Sequence, residues 1–182
     1  DTETILHLYE ERGEECVQSL RGMFAFAIWD EKKRTLLLAR DRVGKKPLLY
    51  SYVDGVFCFA SEFLSLLKSG LIRKEINYNA IHYYLTFGYI PAPLTIYKNV
   101  FKLLPAHTLI LKDKKTISQE YWQLDYYKKI KISEDEAAGE VLKLLRDAVK
   151  IRLRSDVPLG AFLSGGIDSS TIVGLMSQLS AR

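Results

Sequence analysis

Between residues 23 and 60 the chain carries four short apolar runs separated by polar or glycine-bearing turns, and this spacing restricts the fold more than any other feature. Met23 to Trp29 and Thr35 to Ala39 flank Asp30-Glu31-Lys32-Lys33, while Pro47 to Tyr52 and Val56 to Ala60 flank Val53-Asp54-Gly55. Turns this short join adjacent strands as hairpins, so the expected sheet is antiparallel. The first run is apolar at every position and is expected to be buried on both faces. His107 to Leu111 and Thr116 to Trp122, around Lys112-Asp113-Lys114-Lys115, repeat the hairpin pattern further on.

Helical periodicity surrounds these strands. Ile5, Leu8 and Tyr9 predict a helix over 2–12 ending at Gly13, and a second short helix over 14–21 stops at Gly22. A helix over 61–67 is expected to be capped by Ser61 and closed by Gly70. Another, over 77–87, takes Asn77 or Asn79 as its cap and is broken by Ile90-Pro91-Ala92-Pro93; 94–104 reads as loop.

The pattern changes after residue 125. Tyr126 to Lys131 has linker character, and Ser133 with Glu136 forms a capping box for a long helix whose Ala137, Val141, Leu144, Leu145 and Ala148 share a face. Pro158 bars its continuation, Leu159 to Leu163 reads as a short strand, and a final helix is expected over 170–180. The expected domains are therefore 1–125 and 126–182. One strand and two helices bury too little surface to stand alone, so the second reads as the opening of a larger domain and the chain as a piece of a longer polypeptide.

Composition narrows the partners. The 182 residues are 48% hydrophobic and 26% charged, which excludes a disordered or fibrous chain. The balance of 26 basic and 22 acidic residues gives only +4, so nucleic acid is not an expected partner, and the lysines at 128, 129 and 131 read as a solvated linker. No apolar run is long enough to span a membrane, and the start lacks the pattern of a signal peptide. Cys16 and Cys58 match no metal spacing and read as core thiols; together these features point to the cytoplasm. His7, His82 and His107 are isolated.

The chemistry concentrates in Ser164-Gly165-Gly166-Ile167-Asp168-Ser169-Ser170, at the junction of the predicted strand and the last helix. Two glycines allow the backbone to approach an anion and aim N–H groups at it, the helix N-terminus adds partial positive charge, and the hydroxyls of Ser164, Ser169 and Ser170 supply donors. Asp168 would repel phosphate unless it holds Mg2+; the plainer alternative is a glycine turn in which Asp168 simply complements the helix dipole. No lysine follows the glycines in the manner of a Walker loop.

This segment resembles the PP-loop of ATP pyrophosphatases, which cleave ATP between the α and β phosphates. With the Asp1-Thr2-Glu3 opening, Gly22 to Ala27, Arg40-Asp41-Arg42-Val43-Gly44-Lys45-Lys46-Pro47-Leu48, Ala60-Ser61-Glu62 and Ser155-Asp156-Val157-Pro158, it resembles the glutamine-hydrolysing asparagine synthetase family in order and over essentially the whole chain. The resemblance implies an α+β, antiparallel-sheet, Ntn-type class II glutaminase portion followed by the start of an α/β PP-loop domain. It implies ATP and Mg2+, glutamine and aspartate as small-molecule partners, and leaves a homo-oligomer open. By resemblance Asp1 binds glutamine. Phe162, Leu163, Ser164, Gly165, Gly166, Asp168, Ser169 and Ser170 bind ATP, with Asp168 on the metal. The family's N-terminal cysteine nucleophile and Asn-Gly-Glu segment have no counterpart, so no catalytic residue is expected in this chain and it is expected to be inactive by itself. The Arg40–Pro47 segment reads as a bulge and turn held by an ion pair. A related amidotransferase acting on another carboxylate, or a non-catalytic nucleotide-binding protein, would share the central motif.

Overall fold

A computed structural model describes residues 2–180. The chain divides into two compact units, Asp1–Asp125 and Tyr126–Arg182. In the first, α1 (Thr2–Arg12), a 3-10 turn (Gly13–Glu15) and α2 (Cys16–Ser19) lead into β1 (Ala25–Asp30) and β2 (Thr35–Arg40). The chain continues through β3 (Leu49–Val53), β4 (Val56–Ala60), α3 (Phe63–Lys68), α4 (Tyr78–Phe87), β5 (Phe101–Lys102), β6 (His107–Lys112) and β7 (Lys115–Glu120).

All strand pairs are antiparallel, as the short turns require, but the hairpins divide between two sheets ordered β1-β2-β6-β7 and β4-β3-β5. Strand periodicity explains why two are needed. Along β2, Leu37 and Ala39 point to one side and join Cys16, Val17 and Ile28, with Ile5, Leu8 and Tyr9 of α1 packed against them. Leu38 points to the other side and joins Leu48, Leu103 and Leu109, packed with Tyr50 and Phe57 of the second sheet. Leu49 on the far face of that sheet packs with Leu66 of α3, Ile72 and Val100. The layers thus run helix, sheet, sheet, helix, the α+β sandwich that the sequence predicts.

Several local expectations are corrected. Residues 23–29 do not form a strand buried on both faces: β1 is an edge strand, paired on one side only, with Ile28 buried and Trp29 half exposed. The 94–104 segment is not all loop, since β5 pairs with β3 and Ile76 bridges Tyr97. Ser61 does not cap α3; its N-cap is Glu62, without a side-chain bond. Asn77 does cap α4, accepting from the Ala80 N–H at 3.4 Å.

The second unit comprises α5 (Glu134–Arg152) and α6 (Ile167–Leu179). The Ser133–Glu136 capping box forms with both reciprocal bonds. On α5, Val149 is buried and Leu145 and Ala148 are half-buried, but Val141 and Leu144 of the expected face are exposed. The predicted strand over 159–163 is not a strand: no partner strand lies in the described part of this unit, and a lone extended segment has no ladder for its N–H and C=O groups. Helix α6 starts at Ile167, three residues before the expected position, so Asp168 lies in its first turn. Among the described residues no helix is long and apolar enough to cross a membrane.

Candidate functional site

Gly165 adopts φ +83°, a conformation costly for a residue with a Cβ, and turns the chain into α6, whose N-cap is Gly166. No side chain caps this end. The first helical bond runs from the Ser170 N–H to the Gly166 oxygen at 3.0 Å, leaving the N–H groups of Ile167, Asp168 and Ser169 at the open helix end. A Cβ on Gly165 would meet nothing within 4 Å, and one on Gly166 would approach only Ser164 Oγ, at 3.5 Å. The backbone is therefore open to a ligand.

The hydroxyls behave differently from the sequence expectation. Ser164 Oγ and Ser169 Oγ lie 2.8 Å apart, Ser169 donates to the Gly166 carbonyl at 3.1 Å, and the Gly166 N–H donates to Ser164 Oγ at 3.4 Å. Two of the three serine hydroxyls are thus engaged in a ring that shapes the turn, while Ser170 is exposed. Asp168 is exposed beside the helix N-terminus, where its charge complements the dipole. Phe162 is fully exposed and Leu163 largely so, which excludes a core-filling role for either within this unit. Residues 162–168 therefore form one continuous exposed surface, with Ser169 half-buried and Ser170 exposed beyond it. The apolar cavity of about 350 Å3 between α5 and α6 is lined instead by Leu145, Val149, Leu153, Ile172 and Met176, among others. Asp1, the expected glutamine-binding residue, lies outside the described residues.

Asp168 could contribute one carboxylate to a metal. Among the described residues no cluster of three or more His, Cys, Asp or Glu could hold one alone. That donor set suits Mg2+, which takes one or two carboxylates and draws its other ligands from phosphate and water.

Asp41, expected to pair with Arg40, takes a different role and is fully buried in the β2–β3 connection. Its carboxylate accepts from the main-chain N–H groups of Lys45 and Lys46 at 2.9 Å each, Val43 at 3.2 Å and Phe24 at 3.3 Å. The Arg40 guanidinium donates to the carbonyls of Leu103, Gly44 and Lys46 at 2.6, 2.7 and 2.8 Å. The turn is therefore not held by an Arg40–Asp41 ion pair; each charge organises main-chain groups of opposite polarity. Gly44, at φ +66°, supplies the left-handed position that the turn requires.

The two cysteines sit in packing positions. Cys16 is buried at the start of α2, Cys58 is half-buried on β4, and burial pushes both thiols up, away from the reactive thiolate.

The antiparallel sandwich and its sequence place this chain in the glutamine amidotransferase family: the glutamine amidotransferase domain matches residues 1–122. Residues 140–182, which carry α6 and its glycine turn, match the asparagine synthase family. A Methanocaldococcus jannaschii protein named for asparagine synthetase [glutamine-hydrolyzing] is 48% identical over 98% of this chain and 35% of its own length. Asparagine synthetase [glutamine-hydrolyzing] 3 of Bacillus subtilis is 39% identical over 96% of this chain and 28% of its own. Amidase chyE of Penicillium rubens is 38% identical over 98% of this chain and 27% of its own. The chain thus spans between about a quarter and a third of the length of these relatives.

Proposed function

We propose that this chain is part of an ATP-dependent enzyme that converts aspartate to asparagine with ammonia released from glutamine. The supporting observation is one polypeptide in which a glutamine amidotransferase domain is followed by an open two-glycine turn at a helix N-terminus. In the proposed reaction the aspartate β-carboxylate attacks the α-phosphorus of ATP, expelling pyrophosphate and giving β-aspartyl-AMP. Ammonia then adds to the acyl carbon, AMP leaves with the acyl-oxygen bond pair, and nitrogen loses a proton.

The residues take roles consistent with their placement. The N–H groups following Gly165 and Gly166 face the phosphates, Ser170 adds a hydroxyl, and Ser164 and Ser169 keep the turn in shape. Exposed Phe162 and Leu163 offer an apolar shoulder to adenine. Asp168 would hold Mg2+, which when bound draws charge from the phosphates and eases departure of pyrophosphate. Asp1 is assigned to the α-ammonium of glutamine, and the domains to 1–125 and 126–182.

The test uses a polypeptide of the relatives' length. Asp168→Asn should lower aspartate-dependent pyrophosphate release at least about a hundredfold, the scale of losing a charge-stabilising group, while glutamine hydrolysis stays within a few-fold. Undiminished release would remove Asp168 from the reaction. The kinship with an amidase from Penicillium rubens favours a second reading, in which the acceptor is another carboxylate. Pyrophosphate release driven by a different acid, with aspartate inert, would establish that reading instead.

A further inference from the structure

Two cations of the first unit line one cavity of about 310 Å3, with Ser61 as a further polar member and Leu48, Leu49 and Phe63 as its apolar wall. Arg40 spends three of its five N–H groups on carbonyls, and Lys102 spends one of three on the Ile90 carbonyl at 2.6 Å. Every one of these acceptors is a neutral main-chain oxygen. Burial lowers the proton affinity of both side chains, and that of Lys102 falls further through repulsion from Arg40. Asp41 favours the Arg40 charge, but four N–H groups already occupy its oxygens. Glu62, next to Ser61, is exposed and does not line the cavity. Two partly desolvated like charges are thus held together, with donors to spare and no carboxylate among the lining residues, an arrangement whose electrostatic cost falls when an anion enters.

We propose that this cavity binds a small organic anion, its carboxylate or phosphate head on Arg40, Lys102 and Ser61 and its apolar body against Leu48, Leu49 and Phe63. The site belongs to the first unit, shares no residue with the turn at 164–170, and does not depend on the proposed amidation. Titration of the full chain with phenyl phosphate, benzoate and neutral benzyl alcohol, followed by calorimetry at fixed ionic strength, tests it. Saturable binding of at least one anion and none of the alcohol is expected, and which anion binds identifies the head group.

Lys102→Met should weaken that binding about tenfold or more, and Lys102→Arg should retain it within about threefold, since a charged donor is lost in one and kept in the other. Ser61→Glu should supply a tethered carboxylate, abolishing anion uptake and raising Tm by a few degrees. Absence of saturable anion binding, equal uptake of the alcohol, or unchanged affinity in Lys102→Met would overturn the proposal. Should Lys102→Met fail to fold, wild-type affinity in Ser61→Glu would overturn it equally.

Discussion

The phenol of Tyr121 donates to the main-chain oxygen of Arg40 at 2.8 Å, joining positions 81 residues apart. It ties the end of β7 to the end of β2, on which the Asp41 turn is built. The Tyr121 phenol is pushed up to about 12, first by burial and then by the charge of Asp41, with Arg42 opposing. Tyr9, whose hydroxyl donates to Asp30 at 3.1 Å, is also raised to about 12, chiefly by burial. Both phenols hold their protons to higher pH in the folded chain than in the unfolded one. Their contribution is therefore fully present below about pH 10 and is lost as pH rises toward 12. Denaturant melts across this range should show falling stability. Tyr121→Phe should cost about 1 kcal/mol at neutral pH and flatten part of the alkaline decline.

Asp41→Ala would leave four part-buried N–H groups without this acceptor and should cost roughly 2–4 kcal/mol. Asp41→Asn keeps the shape but loses the charge and turns one acceptor into a donor, so about 2 kcal/mol is expected. Equilibrium urea unfolding separates the two, and wild-type stability in Asp41→Ala would contradict the role assigned to the carboxylate.

At Gly44 a Cβ would lie 2.8 Å from Pro105 Cγ and 3.1 Å from Arg40 Cζ, at a φ of +66°. Gly44→Ala combines left-handed strain with collision against a constrained ring and should cost about 2–3 kcal/mol. Gly55→Ala is the control: its φ is +77° but nothing lies within 4 Å, so only the backbone penalty of about 1 kcal/mol applies. Equal midpoint shifts would show that the Pro105 contact is relieved without cost.

Raised thiol pKa values predict slow reaction of Cys16 and Cys58 with a thiol-specific reagent in the native chain and rapid reaction after unfolding. Cys16→Ser, which buries a hydroxyl, should cost about 1–3 kcal/mol, and Cys58→Ser less. In a polypeptide of the relatives' length both should leave glutamine hydrolysis within a few-fold. Loss of several orders of magnitude would mark a cysteine as catalytic.

The hairpins were legible because period-two apolarity and turn residues are local signals. Their division into two sheets was not: it depends on β2 pairing with β6 and β3 with β5, across long stretches of chain. Residues 159–163 show the converse error, for β propensity cannot make a strand without a neighbour. The glycine turn was found from its motif, but the mutual bonding of Ser164 and Ser169 is three-dimensional detail that residue types do not encode. Asp41 reads as the partner of Arg40 in an ion pair because an aspartate beside an arginine in a polar turn looks the same in sequence whether it pairs with that arginine or gathers main-chain N–H groups.

The bonds that shape the Asp41 turn land on N–H and C=O groups, apart from the two charged side chains that organise them. Every non-proline amino acid has both groups, so Val43 and Lys45, whose side chains are exposed, can be exchanged for residues of other size or charge without disturbing the turn. The tolerance stops at Arg40, Asp41 and Gly44. In a library randomised over 40–47, folded clones should therefore drift freely at 43 and 45 while retaining those three residues.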